Sequence, residues 1–553
     1  MNPIALRSVL KFLALATVLA ACSTPNEPAP VSEASRPAAS LPAVKADPGR
    51  LLQGTVVTMN AADEVWPGAR IWLRDGRIEA IVKAGEALPP GAKNAPVVDT
   101  GGVIYPGLID IHNHPEYAMY PLLPLKRRYL DRYEWRYYDD DYAKRITNQQ
   151  SFITGAKYLN LYPEVGRYGE LKALVAGTTS LQGMRKDQPY AAEGCLVRNT
   201  ETASVGAVKV TSQLDMPRDS AEWDALRKTV AAGPTVMHVG EGNGFRMARE
   251  YESLKLSAAN SANLTVIHGV GLGAAELEEM AKQHSKLVWS PLSNFLLYGS
   301  TAAIDVARSK QVGLVLAPDW APSGTKSALA ELKVADLVSR HALATKLSDL
   351  ELVSMVTRNP ADALGWGDRL GRIAPGYLAD LVVLDARQAD PYRNLIDAVE
   401  ENVRLVAIEG IALYGDAGLM KSLRPPADIE DAGLFGGRRA KQIAINCASM
   451  PKTDLPTLRG VLQQALRTDS DFALRRVDAQ QLATDARSCK ISLSSPPSAE
   501  EVHKVMQCRF SLPFEATTLS PLVTSDDPEF FPRLLANPNL PAYLRKLPEY
   551  WKK

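Results

Sequence analysis

The stretch that decides the fold is GLIDIHNHPEY, residues 107–117, where an apolar run stops on His112 and His114. The chain has seven histidines in 553 residues, so two of them one residue apart is a concentrated use. In a strand, residues i and i+2 point to the same face. The two imidazoles therefore project together from a strand end, and a divalent metal is what two neutral ring nitrogens side by side bind readily. Taken alone, H-x-H describes a pair of satisfied surface histidines equally well.

Further along, short apolar runs alternate with helical stretches: GLIDIH, GTTSLQG, CLVRN, AVKVTS, PTVMHVGE, LTVIHGVG, KLVWSPLS and VGLVLAPD. Several are followed by amphipathic segments such as GAAELEEMAKQHSK. Strand alternating with helix implies a parallel sheet, and eight repeats imply an α/β fold of the (β/α)8 TIM-barrel class over residues 105–365. CLVRN and AVKVTS carry the weakest strand signals. Residues 49–104 and 366–424 have a different texture, with β-branched runs broken by Asp-Gly and Gly-Gly as hairpins require.

Active sites of this barrel class sit at the C-terminal ends of the strands. His238 closes TVMH, His268 closes LTVIH and Asp319 follows GLVLAP. With His112 and His114, four histidines and one aspartate occupy the ends of the first, fifth, sixth and eighth strands. A shared site explains this alignment better than independent core or surface roles.

VIYPGLIDIHNH, MHVGEG, VIHGVGL, VWSPLSN, PDWAPSGT and LGRIAPGYLADLVVLD, in that order, resemble the metal-dependent amidohydrolase superfamily across residues 50–420. The resemblance implies a metal barrel and a composite β-sandwich built from residues 49–104 and 366–424. It implies that His112, His114 and His238 ligate the metal, that Asp319 is the ligand from the last strand, and that His268 ligates or holds the attacking water. Glu241 stands three residues after His238, a spacing similar to the family's deaminase branch, in which the glutamate carries a proton from water to the leaving nitrogen. The implied reaction is hydrolysis of a C–N bond in a small molecule: an amide, a cyclic amide or an amino-heterocycle. One divalent metal is expected, zinc ahead of iron or manganese. Such an ion lowers the pKa of a bound water from about 16 to about 7. Glu241, His268 and Asp319 are the expected catalytic groups.

Two-metal relatives such as imidodipeptidases and cyclic amidases bridge their ions with a carboxylated lysine on the fourth strand. Lys209 is the candidate for that role, but a one-residue change of register turns it away. Trp320, where relatives carry a small residue, narrows the pocket or offers a stacking face, and Asn294 is a second expected substrate contact. Residues 120–145, YPLLPLKRRYLDRYEWRYYDDDYAKR, form an insertion rich in aromatics and both charge signs. It leaves the active rim and forms either a lid or a cover over the barrel edge. His284, His341 and His503 are read as structural.

Arg7 and Lys11 precede FLALATVLAA, which is too short for a permanent span. VLAAC resembles a bacterial lipobox. That implies cleavage of residues 1–22 before Cys22, lipidation of its thiol, and anchoring in the Gram-negative envelope, with Ser23 favouring the outer membrane facing the periplasm. Residues 23–48, rich in Pro, Ala and Ser, read as a tether. Export permits disulfides: Cys489 and Cys508 are the expected pair, Cys447 a competitor, and Cys195 a buried free thiol. Residues 425–553 form a C-terminal extension with no chemistry assigned. The formal net charge of +1 indicates no nucleic-acid partner.

Two readings from other classes compete. Ser323–Lys326, SGTK, matches the S-x-x-K of penicillin-recognising serine hydrolases, but no K-T-G partner motif follows, and Ser323 as a helix N-cap explains the match. A non-catalytic metal-binding lipoprotein is the other, and the full ligand set together with Glu241 argues against it.

Overall fold

The computed structural model describes residues 49–552, apart from 126, 140–141, 184–194, 204, 207, 434–438, 449, 468 and 512–516. The proposed signal, tether and Cys22 lie outside the described residues.

The chain begins with β1 (Arg50–Val57), β2 (Val65–Arg74), β3 (Arg77–Val82) and β4 (Val97–Pro106). Eight short strands follow: β5 (Leu108–Asp110), β6 (Thr178–Leu181), β7 (Arg198–Asn199), β8 (Thr211–Gln213), β9 (Thr235–Val239), β10 (Leu264–His268), β11 (Lys286–Trp289) and β12 (Gly313–Leu316). Then come β13 (Leu381–Asp385), β14 (Val403–Ile408), β15 (Ile411–Asp416), β16 (Glu430–Gly433) and β17 (Lys441–Ile443).

All eight expected apolar runs contain a strand, and they pair in parallel as two arcs, β5-β6-β7 and β12-β11-β10-β9-β8. The arcs meet beyond the ends of β5 and β12, where Asn113 bridges Asp319 and the Asp319 amide donates to the His112 carbonyl at 3.1 Å. Between β7 and β8 no ladder forms among the described residues. The Gln182 amide reaches across to Ser212 Oγ at 2.8 Å instead. β9 and β10 are buried throughout, as strands covered on both faces must be.

The fourth strand starts at Thr211, later than the AVKVTS run suggests. Lys209 precedes the ladder and is exposed, so the bridging-lysine role is not supplied by this residue. β7 is two residues long because Arg198 is committed sideways, its buried guanidinium paired with Asp380 and Glu409.

The flanking β-blocks combine in one hydrogen-bonded sheet of nine strands, β16-β17-β15-β14-β13-β4-β1-β2-β3. β4 joins the halves, running parallel to β1 and antiparallel to β13. Leu52, Ile71, Ile104, Leu381 and Leu405, drawn from both ends of the sequence, share one apolar cluster, which is why the blocks close on each other.

The C-terminal extension adds β16 and β17 to that sheet and packs helices against the region that carries β5–β12. Leu455, Leu458 and Leu462 of the helix Leu455–Leu466 share a core with Tyr168 and Leu171 of the helix Tyr162–Val175. Lys326 Nζ is buried against Asp527 Oδ2 at 2.6 Å and also donates to Ser520. Cys489 pairs with Cys508 as expected. Cys195 is not a free thiol: it is bonded to Cys447, 252 residues away, with the two Cα atoms 5.8 Å apart. No described helix is long and apolar enough to cross a membrane.

Candidate metal centre

His112, His114, His238, His268 and Asp319 converge beyond the strand ends. His112 Nε2 lies 3.1 Å from His238 Nε2 and 3.1 Å from Asp319 Oδ1. His114 Nε2 is 3.5 Å from the same Oδ1, and His268 Nε2 is 4.0 Å from Asp319 Oδ2. Two groups, His112–His238–His268 and His112–His114–Asp319, each place their ligand atoms within 4.8 Å of one another. Every member is buried except His114, whose side chain is 22% exposed at the outer edge.

The backbone makes part of this convergence possible. In the ladder Ile267 stands opposite His238 and shares one apolar cluster with Val236, Val288 and Val315. Strict alternation would therefore send His268 outward. Instead His268 adopts φ +69°, and Asp319 adopts φ +73°. Both lie in the left-handed region that costs a non-glycine residue roughly 1–3 kcal/mol. Strain of this kind persists where the surroundings over-determine the conformation, and here it turns two side chains into one site.

The electrostatics suit a cation. Burial lowers the His238 and His268 imidazoles and takes His114 down to about 4, so they stay neutral at pH 7. Burial alone would raise the Asp319 carboxyl, but His112, His268 and His114 beside it hold it well below the usual carboxylate range. His268 Nδ1 donates to Asn294 Oδ1 at 2.8 Å, which leaves Nε2 with its lone pair aimed into the cluster. His238 Nδ1 is buried without a hydrogen-bond partner among the described residues, so Nε2 is its working atom. Neutral nitrogens facing one another beside an ionised carboxylate fit a divalent ion of zinc's type.

Glu241 completes the site between Gly240 and Gly242, both at positive φ. Its Oε2 is 3.7 Å from His268 Nε2, and its Oε1 accepts a 2.6 Å hydrogen bond from Tyr298. Burial raises the Glu241 carboxyl, and burial with Glu241 alongside raises the Tyr298 phenol well above 10, so the phenol keeps its proton as donor.

With this geometry stand the comparisons. Residues 233–413 match the amidohydrolase family, and the chain is 25% identical over 435 residues to a 5-methylthioadenosine/S-adenosylhomocysteine deaminase of Desulfitobacterium hafniense, spanning 71% of this chain and 98% of that one. The segment that matches the amidohydrolase family carries His238, Glu241, His268 and Asp319. Two solved folds are similar to this chain. One is an adenosine deaminase from Xanthomonas campestris with bound zinc, at TM-score 0.54 and 17% identity over 75% of this chain and 97% of that one. The other is the atrazine chlorohydrolase from Arthrobacter aurescens TC1 complexed with zinc, at TM-score 0.53 and 18% identity over 66% and 94%. The protein is thus a hydrolase of the class acting on C–N bonds.

Several residues that serve the site escape a reading of strand ends. The helix Pro291–Tyr298 after β11, with Ser290 before it, orients almost everything. Ser290 Oγ meets His112 Nδ1 at 2.8 Å, Ser293 donates to Asp319 Oδ2 at 2.5 Å, Asn294 holds His268, and Tyr298 holds Glu241. Glu331 secures the start of this helix by accepting from the Leu292 amide at 2.9 Å, and burial raises its carboxyl to about 8. The signal was present in SPLSNFLLY: polar residues at i, i+3, i+4 and i+8 of an apolar run lie on one helical face. Asn294 is thereby corrected from substrate contact to positioning residue, since its amide nitrogen is also committed, to Thr301 at 3.2 Å.

The insertion docks on the loop that carries Glu241. The Arg132 amide donates to the Glu241 carbonyl at 3.1 Å, and its guanidinium binds the His238 carbonyl and Glu250. Trp320 is buried, and Trp135 of the insertion stacks on it at 5.5 Å and 25°. Ser323 hydrogen-bonds Ser293 at 2.9 Å and caps no helix; Ser327 caps Ala328–Ala342. His284, His341 and His503 lie outside the cluster, His341 stacked on Tyr543 and His503 bonded to Ser470.

Proposed function

We propose that this protein is a one-metal amidohydrolase of the deaminase type, with zinc as its ion, releasing nitrogen from a small amino-heterocycle or cyclic amide. The observation that carries the proposal is the Glu241 carboxyl, buried and raised, held by Tyr298 at 2.6 Å and standing 3.7 Å from His268 Nε2. Burial favours the protonated form of this carboxyl, which suits it to delivering a proton. His112, His114, His238, His268 and Asp319 would hold the ion, which when bound supplies Lewis-acid activation of water and substrate. Asp319, ionised and fixed by Ser293, accepts a proton from the attacking water. Glu241 passes one to the departing nitrogen as the C–O bond forms and the C–N bond breaks. His268, oriented by Asn294, keeps the nucleophile on the side facing Asp319.

The zinc-containing deaminase fold and the deaminase relative support this reading over a two-metal amidase, and the exposure of Lys209 weighs against the latter. The S-x-x-K serine reading has no working base, because Lys326 is consumed by Asp527, Ser520 and the Pro521 carbonyl. Elemental analysis of the purified protein, followed by a panel of amides, lactams and amino-heterocycles, tests the proposal. One zinc per chain with ammonia or amine release is expected. Two metals per chain, or turnover that survives complete chelation, refutes it.

The closed (β/α)8 barrel and the lipid-anchored periplasmic location belong to the same proposal. The VLAAC stretch ending at Cys22 supports the anchor. Cys22→Ser should release the protein from the membrane fraction of a Gram-negative host, and unchanged fractionation rejects the anchor.

A further inference from the structure

The insertion encloses a cavity of about 200 Å³ beside the metal cluster. Leu123, Pro124, Leu125 and Trp135 of the insertion line it, with Leu297 and Trp320 from the barrel side. It adjoins the chemistry on two sides. The Trp320 peptide follows Asp319 directly, and Trp135 Nε1 donates at 2.8 Å to the Tyr298 oxygen that itself donates to Glu241.

Most of the polar groups lining this cavity are paired with one another or with the site. Arg127 pairs with Glu134 at 2.7 Å, and Tyr129 donates to Asp139 at 2.6 Å. The Trp135 indole N–H is committed to Tyr298 and that of Trp320 to Ser323. Aliphatic surface and indole carbon make up much of the remaining wall, with Tyr142 and Arg145 beside them, so an occupant gains chiefly by burying apolar area. Size sets the second limit. An apolar cavity of about 150 Å³ is enough to take up benzene. This one suits a single six-membered ring with a small substituent. A purine nucleoside has fused rings and a sugar, which overfill the space and leave hydroxyls without partners.

We infer that the insertion forms a subsite for one uncharged, apolar ring carried by the substrate, which makes the substrate class a compact ring-bearing amide or amino-heterocycle rather than a nucleoside. The inference rests on the hydrolase reading only for what the ring is attached to; binding of the ring itself is independent of turnover.

Bromobenzene is the probe. Crystals of the full chain, metal-loaded and chelated, are soaked with it, and bromine anomalous density is expected in the Leu125–Trp135–Leu297 cavity in both. Density confined to surface sites, or none, overturns the subsite. In solution, Leu125→Trp fills the space and should weaken bromobenzene binding by about tenfold or more; Leu125→Phe serves if that variant does not fold, and unchanged affinity in the folded variant overturns the inference. A protein that binds the ring but hydrolyses nothing on the panel loses the hydrolase reading and keeps the subsite. One that hydrolyses amides with no ring in the cavity does the reverse.

Discussion

Two segments leave the active rim, and they differ in almost every respect. After β11 comes an eight-residue helix, Pro291–Tyr298, buried along its whole length, whose one polar face meets His268, Asp319 and Glu241 while Ser290 just before it meets His112. After β5 comes the long insertion, with exposed Leu130, Tyr137 and Tyr138, ion pairs among its own residues, and a cavity on its inner side. The short rigid element holds reacting groups, because ligand geometry tolerates little error and a helix with no freedom to move supplies it. The long element builds the wall of a pocket, where a sub-ångström shift costs little. They touch through the Trp135–Tyr298 hydrogen bond and through the Tyr129 amide, which donates to the Leu297 carbonyl at 2.9 Å.

The largest effect tests the centre both segments serve. Glu241→Gln should leave metal content unchanged and lower kcat by roughly 100- to 10,000-fold, the range for loss of general acid–base catalysis. Near-full activity in single-turnover assays would remove Glu241 from proton transfer. Next, Asn294→Ala removes the partner of His268 Nδ1 and should weaken metal affinity roughly 10- to 100-fold, as losing such a support does. A competition titration with a chelator reads this, and unaltered affinity would mean the helix does not orient the ligands. Smaller again is Tyr298→Phe, which frees Glu241 of one hydrogen bond. It should cut kcat by about tenfold and shift the alkaline limb of the pH–rate profile upward, because the phenol's donated bond stabilises the ionised carboxyl and its loss favours the protonated acid. Trp135→Phe, acting from the insertion through Tyr298, should do less than Tyr298→Phe; if it does more, the division between the two segments is wrong.

A control away from both segments concerns stability. Burial would raise Asp527, but Lys326 beside it holds its carboxyl below the ordinary 3.8. A depressed folded value means the carboxylate's contribution is present above 3.8 and is lost as pH falls through that value toward the lower folded one. Asp527→Asn should cost about 3–5 kcal/mol at neutral pH, since it strands a buried ammonium, and should flatten the acid dependence of denaturant midpoints. Unchanged midpoints would mean that the extension is not held to the barrel by this pair.

Much of the site was legible because a barrel places its chemistry where strands end. His112, His238, His268 and Asp319 each close an apolar run, and all come together with His114. What the runs concealed was direction. By alternation His268 belongs on the outer face with Val266, and only a left-handed backbone turns it inward. Lys209 failed for a related reason: AVKVTS has strand composition, but the ladder starts at Thr211. The polar stripe of SPLSNFLLY was visible and could have been read, because it depends on helical spacing alone.

The sequence by itself determined the strand–helix alternation, the two β-rich flanks, the order of the metal-binding residues and the H-x-x-E spacing. These follow from local periodicity and from which residue types can carry the chemistry. Only the tertiary structure decided that the flanks join as one nine-stranded sheet, that Cys195 bonds Cys447 across 252 residues, that Asn294 serves His268, and that the insertion closes over a ring-sized cavity. Each of these is a pairing between distant segments. Its energy comes from shape and proximity in the folded state, and no local pattern of residues encodes it.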